Sequence, residues 1–189
     1  MHYKPESFKT LYTGYIAGLV FSFTLFFFAG ATDAAMGHLQ GDPPSVPALV
    51  LMLLGVAAIV AGVVAYMMLL YRAWSQIQGG TARTTPGKAV GFLFIPLFNL
   101  YWMFVAFYGL SQDLNAYTTQ RGIQTPRVAE GLALTACILT VCALIPCLGI
   151  LAAVAAIPVQ LISLWQIVGA SRAIATAQGG FPPPLPGMR

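Results

Sequence analysis

Charged residues are scarce in this sequence: nine Lys or Arg and five Asp or Glu among 189 residues, or 7%. A soluble domain carries roughly 25%, so this chain lacks the groups needed to cover a water-exposed surface. A soluble enzyme, a disordered regulator and a coiled coil are excluded on that ground. Histidine is rarer still. His2 and His38 both lie outside the apolar runs, which leaves no pair to ligate a haem or a metal inside a bilayer. The patterns His-Glu-x-x-His, Cys-x-x-Cys, Gly-x-Ser-x-Gly and the P-loop are absent, so no catalytic residue, cofactor or metal site is expected. Asp33, His38 and Asp42 are spaced as a solvated loop rather than as a ligand set. Cys137, Cys142 and Cys147 recur every five residues, about 140° apart around a helix, which reads as buried thiols. The basic residues are scattered singly and form no stripe for nucleic acid.

What the sequence does have is long uncharged runs. Residues 10–32, 43–71, 89–112 and 131–171 contain no Lys, Arg, Asp or Glu, and a membrane crossing needs roughly 20 apolar residues. The expected helices span about 11–31, 47–74, 127–145 and 150–174. The first is longer than the 7–15 apolar residues of a cleaved signal and reads as a crossing. It carries Gly14 and Gly18, a GxxxG pair that lets another backbone approach closely, most simply a neighbouring helix of the same chain. Ser45 and Pro47 are set to start the second helix, and Thr125 and Pro126 the third. Pro146 to Gly149 divides the last run into a tight hairpin, and Pro158 falls inside its second arm. These boundaries make residues 1–178 a single integral membrane domain, with a Pro-rich tail over 179–189.

The stretch 89–112 decides the topology. If it crosses the membrane, the nine basic residues divide five to four between the two sides. If it enters and returns, all nine lie on one side and the Asp33–Asp42 loop faces the other. Basic residues mark the cytoplasmic side, so the second arrangement is expected, with Pro96 and Asn99 supplying the break. The fold class is then an all-α membrane protein: four transmembrane helices in two hairpins, plus one re-entrant or interfacial helical element over about 87–117. Both termini fall on the cytoplasmic side. A partial internal echo fits this, since Arg72–Gly80 and Arg172–Gly180 agree at five of nine positions, as two hairpins in one orientation would.

The densest pattern runs from Thr84 to Trp102: Pro86, Gly87, Lys88, Ala89, Val90 and Gly91, then Pro96, Asn99, Tyr101 and Trp102. It resembles the signature of a bacterial multi-pass membrane protein family of unknown function, Pro-Gly-x-Ala-Val-Gly…Pro…Asn-x-(Tyr/Trp), over about residues 71–115. Where many members carry Trp, this chain has Lys88. The resemblance implies a bacterial inner membrane and no established activity. From the residues alone, Pro86–Lys88 can also present free N–H groups and a cation to a lipid headgroup, or Lys88 can simply anchor the turn.

The uncharged runs offer nothing that titrates at membrane depth, so a proton-coupled pump is not expected. The leading expectation is a non-enzymatic accessory, scaffold or assembly subunit, with membrane lipids and protein partners or a second copy as its contacts. A small channel or carrier built on the Pro96–Asn99 break is the alternative, since pores can be lined by backbone carbonyls.

Overall fold

The computed structural model describes residues 4–37, 43–80, 82–145 and 149–179, and every regular element among them is helical. In chain order these are α1 (Pro5–Ala35), α2 (Val46–Gln76), α3 (Pro86–Gly91), α4 (Phe98–Met103), α5 (Gly109–Gln120), α6 (Glu130–Cys142) and α7 (Gly149–Gly179). A 3₁₀ turn, Phe92–Phe94, follows α3, and a π turn, Phe104–Tyr108, joins α4 to α5. Three helices, α1, α2 and α7, are long and apolar enough to cross a membrane. Each has 31 residues, about 46 Å at 1.5 Å per residue, against a hydrocarbon core of about 30 Å. The chain is therefore a helical, multi-pass membrane protein.

Packing divides it into two units, Thr10–Met68 and Met1–Lys9 with Leu69–Arg189. The first is the α1–α2 hairpin. Its helices meet through small residues: a Cβ on Gly18 would lie 2.8 Å from the Ala58 carbonyl oxygen and 2.9 Å from Gly62 Cα. One on Gly14 would sit 3.7 Å from Ala65 Cβ, an ordinary contact. The GxxxG pair thus packs inside the hairpin, and Tyr15 and Tyr66 stack nearby with centroids 5.4 Å apart. At the turn, Asp33 Oδ1 accepts the Ser45 N–H at 2.9 Å, and Ser45 Oγ accepts from Ala48 N–H at 3.4 Å. Ser45 therefore caps α2 as its sequence suggests. Leu49, Leu53, Leu54 and Val60 on α2, and Phe21, Phe23 and Phe27 on α1, are exposed, as lipid-facing side chains are.

The second unit holds a buried core of Leu69, Leu70, Trp74 and Ile77 from the end of α2, Leu110 and Leu114 from α5, and Leu164, Ile167 and Ile174 from α7. Along α7 the character changes: Ile150, Leu151, Val154 and Ile157 are exposed, whereas most residues from Ser163 to Ala175 are buried. The α6–α7 hairpin is tight, because a Cβ on Gly149 would fall 2.7 Å from the Ala143 carbonyl oxygen. Pro146 to Leu148 lie outside the described residues, and α7 continues through Pro158 without ending.

The boundaries differ from the sequence expectation in three places. The long helices outrun the apolar stretches that announce them, 5–35 against 11–31 and 149–179 against 150–174. Helical hydrogen bonding does not stop where hydropathy falls, and residues such as Glu6 and Arg172 pair across the ends at 3.4 Å. The third expected helix, 127–145, is instead the 13-residue α6, starting at Glu130. Thr125 and Pro126 do not start it, because the Asn115 amide takes both polar groups of Val128 (below) and Ala129 after it is extended. Finally, the element expected over 87–117 is a hairpin of α3 against a helical path running from Phe98 to Gln120.

Candidate functional site

The signature residues build the α3–α4 hairpin. Pro86 takes the first position of α3, where its missing N–H costs nothing. The path then turns at Ile95–Leu97 and re-enters helix at Phe98. Three main-chain donors in this turn are satisfied locally, while the Leu97 N–H has no main-chain partner among the described residues. Ile95 N–H reaches Phe92 O at 3.3 Å, Phe98 N–H reaches Pro96 O at 2.7 Å, and Asn99 N–H reaches Ile95 O at 2.9 Å. Pro96 has no N–H at all. Trp102 fastens the two arms, its indole N–H donating to the carbonyls of Lys88 at 3.0 Å and Ala89 at 3.2 Å. Its ring stacks on Phe98 at 5.5 Å and meets Phe92 edge-on at 4.8 Å.

The tip itself is apolar and uncovered. Leu97 is 84% exposed, and Phe94, Ile95, Pro96 and Tyr101 are exposed as well. Leu97 also has φ of 64° and ψ of −46°, the rare γ-turn conformation closed by the Phe98 N–H to Pro96 O bond, which costs a non-glycine residue about 1–3 kcal/mol. A glycine would avoid that cost, so the position carries a large apolar side chain at the expense of local strain. Asn99 is half-buried and its side chain makes no hydrogen bond among the described residues, so the break carries no polar group aimed at a common point.

Behind the hairpin lies a clamp. Asp113, 4% exposed, accepts from Arg83 three times: from its main-chain N–H at 2.9 Å, Nε at 3.0 Å and Nη2 at 2.7 Å. Arg83 Nη2 also donates to Gln112 Oε1 at 2.9 Å. Gly109 makes room, since a Cβ there would approach Arg83 Cδ to 3.2 Å. Two residues further on, Asn115 Nδ2 donates to Val128 O and to Glu130 Oε1, and Asn115 Oδ1 accepts from Val128 N–H, each at 2.8 Å. Ala129 N–H donates to Gln166 Oε1 at 2.7 Å. The start of α6 is thus tied to both α5 and α7.

The π turn is the third joint. Gly109 N–H bonds Phe104 O in place of the usual α-helical partner. Within this turn Ala106 O accepts the Trp74 indole N–H at 3.0 Å, and just before it Met103 O accepts the Cys137 thiol at 3.7 Å. At the head of the unit, Gln76 Nε2 donates to Ser171 O at 3.2 Å, and Gln178 Nε2 donates to Gln76 O at 3.3 Å and Tyr117 Oη at 3.1 Å. The two segments of the sequence echo therefore touch one another.

Of the candidates named from sequence, Pro86, Lys88, Pro96, Asn99, Tyr101 and Trp102 come together in one hairpin. Gly87 and Gly91 belong to it too, but a Cβ on either meets nothing within 4 Å, so close packing is not their role. Gly14 and Gly18 lie in the other unit. Lys88 is exposed on a six-residue helix. His38 and Asp42 lie outside the described residues, and Asp33 serves the α1–α2 turn. The hydroxyls of the apolar helices bond within their own helices: Thr24, Thr135, Thr140 and Ser163 each donate to the carbonyl four residues back. Gln166, by contrast, bonds to another segment, accepting the Ala129 N–H. Missed altogether were Arg83 with Asp113, Asn115 with Val128, and Trp74 with Ala106. The available signal was rarity, since Asp113 is one of only five acidic residues. Comparison with protein-family models, curated proteins and solved structures finds no match to this chain.

Proposed function

We propose that this is a four-crossing integral membrane protein acting through packing, as an accessory, scaffold or assembly subunit of a membrane complex rather than as an enzyme. The fourth crossing is α6 with residues 143–145. The support is its register with α7: its start is bonded to Gln166 and its end closes on Gly149, so it runs beside the exposed apolar half of a span-length helix. The 13 residues of α6 cover about 20 Å at 1.5 Å per residue with residues 143–145 extending it, and the stretch 86–120 stays on the side of the nine basic residues. The resemblance of residues 71–115 to a bacterial membrane family favours a bacterial inner membrane with both termini cytoplasmic.

The observation that carries the functional reading is where the polar side chains go. Asp113, Asn115, Gln166 and Gln178 bond to neighbouring segments of the same chain, which fixes the architecture. The break at Pro96–Leu97, which a pore would use, is an exposed tip. A protein arranged this way offers rigid surfaces. Extraction in a mild detergent followed by native mass measurement tests the reading: a stoichiometric partner or a defined homo-oligomer supports it, and a lone monomer that also forms no cross-links in native membranes overturns it.

A further inference from the structure

We infer that the α6–α7 hairpin is shorter than an ordinary bilayer and thins the lipid around it. This deepens the proposed crossing of α6 and rests on it.

Polar groups mark the base of the hairpin. The Ala129 N–H donates to Gln166 Oε1, so α6 starts beside Gln166 of α7. Glu130 Oε1 accepts from Asn115 Nδ2, and Pro126 and Arg127 just before it are exposed. A carboxylate is costly in hydrocarbon, so the apolar span of α6 begins after Glu130. Trp165, the neighbour of Gln166, is exposed, as Trp commonly is where a membrane meets water. The turn sets the other end. A Cβ on Gly149 would lie 2.7 Å from the Ala143 carbonyl oxygen, so α7 begins where α6 stops.

Between these limits the arms are short. The 13 residues of α6 cover about 20 Å. On α7 the exposed large apolar side chains begin at Ile150 and, among the described residues, end at Trp165, a length of about 24 Å. Past that point Ile167, Val168 and Ile174 are buried in the core of the unit. Both arms therefore fall short of the hydrocarbon core, about 30 Å thick, by about 6 Å or more. The other hairpin does not: exposed apolar side chains on α2 run from Val46 to Met68, about 34 Å.

Either the turn stays buried in hydrocarbon or the bilayer thins to meet it. The last carbonyls of α6 and the first N–H groups of α7 lie at this turn, and each helix end leaves up to four such groups outside the helical ladder. One unmet group in hydrocarbon costs roughly as much as thinning by the whole shortfall. With several groups at stake, thinning wins. The surroundings this hairpin fits are lipids packed to a hydrocarbon thickness of about 24 Å.

Nitroxides at Pro126→Cys, Ile157→Cys and Ile150→Cys test this, one per chain, with Cys137, Cys142 and Cys147 changed to Ala, in dioleoyl phosphatidylcholine vesicles. They sit at the base, in the middle and beside the turn, and all three positions are exposed. The expected result is that a water-soluble nickel chelate reaches the labels at 126 and 150, while oxygen alone reaches 157. Access at 126 with oxygen alone at 150 means that the turn stays buried, which overturns the thinning and the fourth crossing together. Access at 150 with 126 shielded means that the hairpin shifts instead, which overturns the thinning and leaves the crossing standing. Chelate at 157 shows a wet cavity, and shielding of 150 from both probes shows a protein cover; either overturns the thinning. If the cysteine-free chain does not fold, a ketone-bearing residue at each position carries the label in the native background. A lone monomer in the mass measurement would end the accessory reading and leave this result standing.

Discussion

The side-chain amide of Asn115 grips the Val128 peptide by both of its polar groups, Nδ2 to the carbonyl oxygen and Oδ1 from the N–H, each at 2.8 Å. Both residues are buried, and neither Val128 group then needs a helical partner. This grip sets where α6 begins. Asn115→Leu leaves two main-chain groups and Glu130 without it, and unpaired buried groups cost about 1–3 kcal/mol each. The expected loss is about 2–4 kcal/mol, read as a lower midpoint in detergent unfolding. Asn115→Asp keeps the acceptor but sets a carboxylate against Glu130, and should do no better. Wild-type stability in either variant would show that the grip is dispensable.

The Arg83–Asp113 clamp should be specific in its chemistry. Arg83→Lys keeps the charge but cannot reproduce the paired Nε and Nη2 bonds, so most of the effect of Arg83→Ala should remain. Arg83 is 42% exposed at its side chain while Asp113 is 6%, and water therefore screens one partner. The expected cost of Arg83→Ala is about 1–3 kcal/mol, below the 3–5 of a fully buried pair. Proteolysis supplies the check: the 77–85 segment should become the first site of cleavage in membranes. Equal cleavage in wild type and variant would mean that Asp113 does not hold it.

Gly14 and Gly18 belong to one motif but should respond differently. Gly18→Ala forces a Cβ against the Ala58 carbonyl and the Gly62 backbone, neither of which can rotate away. Overpacking of this kind costs about 1–3 kcal/mol. Gly14→Ala meets only a side chain at 3.7 Å and should be close to neutral. Thermal unfolding of the two variants side by side decides it, and equal effects would mean that the close approach is not at Gly18.

Some of this was legible from residue order alone. The long helices announce themselves because a bilayer-length run without charge has few other uses, and the break at Pro96 shows because proline removes a donor. The start of α6 was not legible: Asn115 and Val128 lie 13 positions apart across a loop, and a capping Thr-Pro pair upstream gave a local signal that the distant amide overrides. Arg83 and Asp113, 30 positions apart, share no local pattern at all. Nor does composition reveal a π turn, so a regular helical period carried from Asn99 to Asp113 makes no allowance for the turn at Phe104–Tyr108 between them.

That turn has a mechanical consequence. One surplus residue between Phe104 and Tyr108 rotates everything before it by about 100° relative to everything after it, the angular step of a single residue. The aromatic fastening around Trp102 and the acidic grip of Asp113 therefore point in directions that an unbroken helix would not permit. The surplus residue works as a spacer that fixes the angular offset between the aromatic end of the path and the end that meets the rest of the chain.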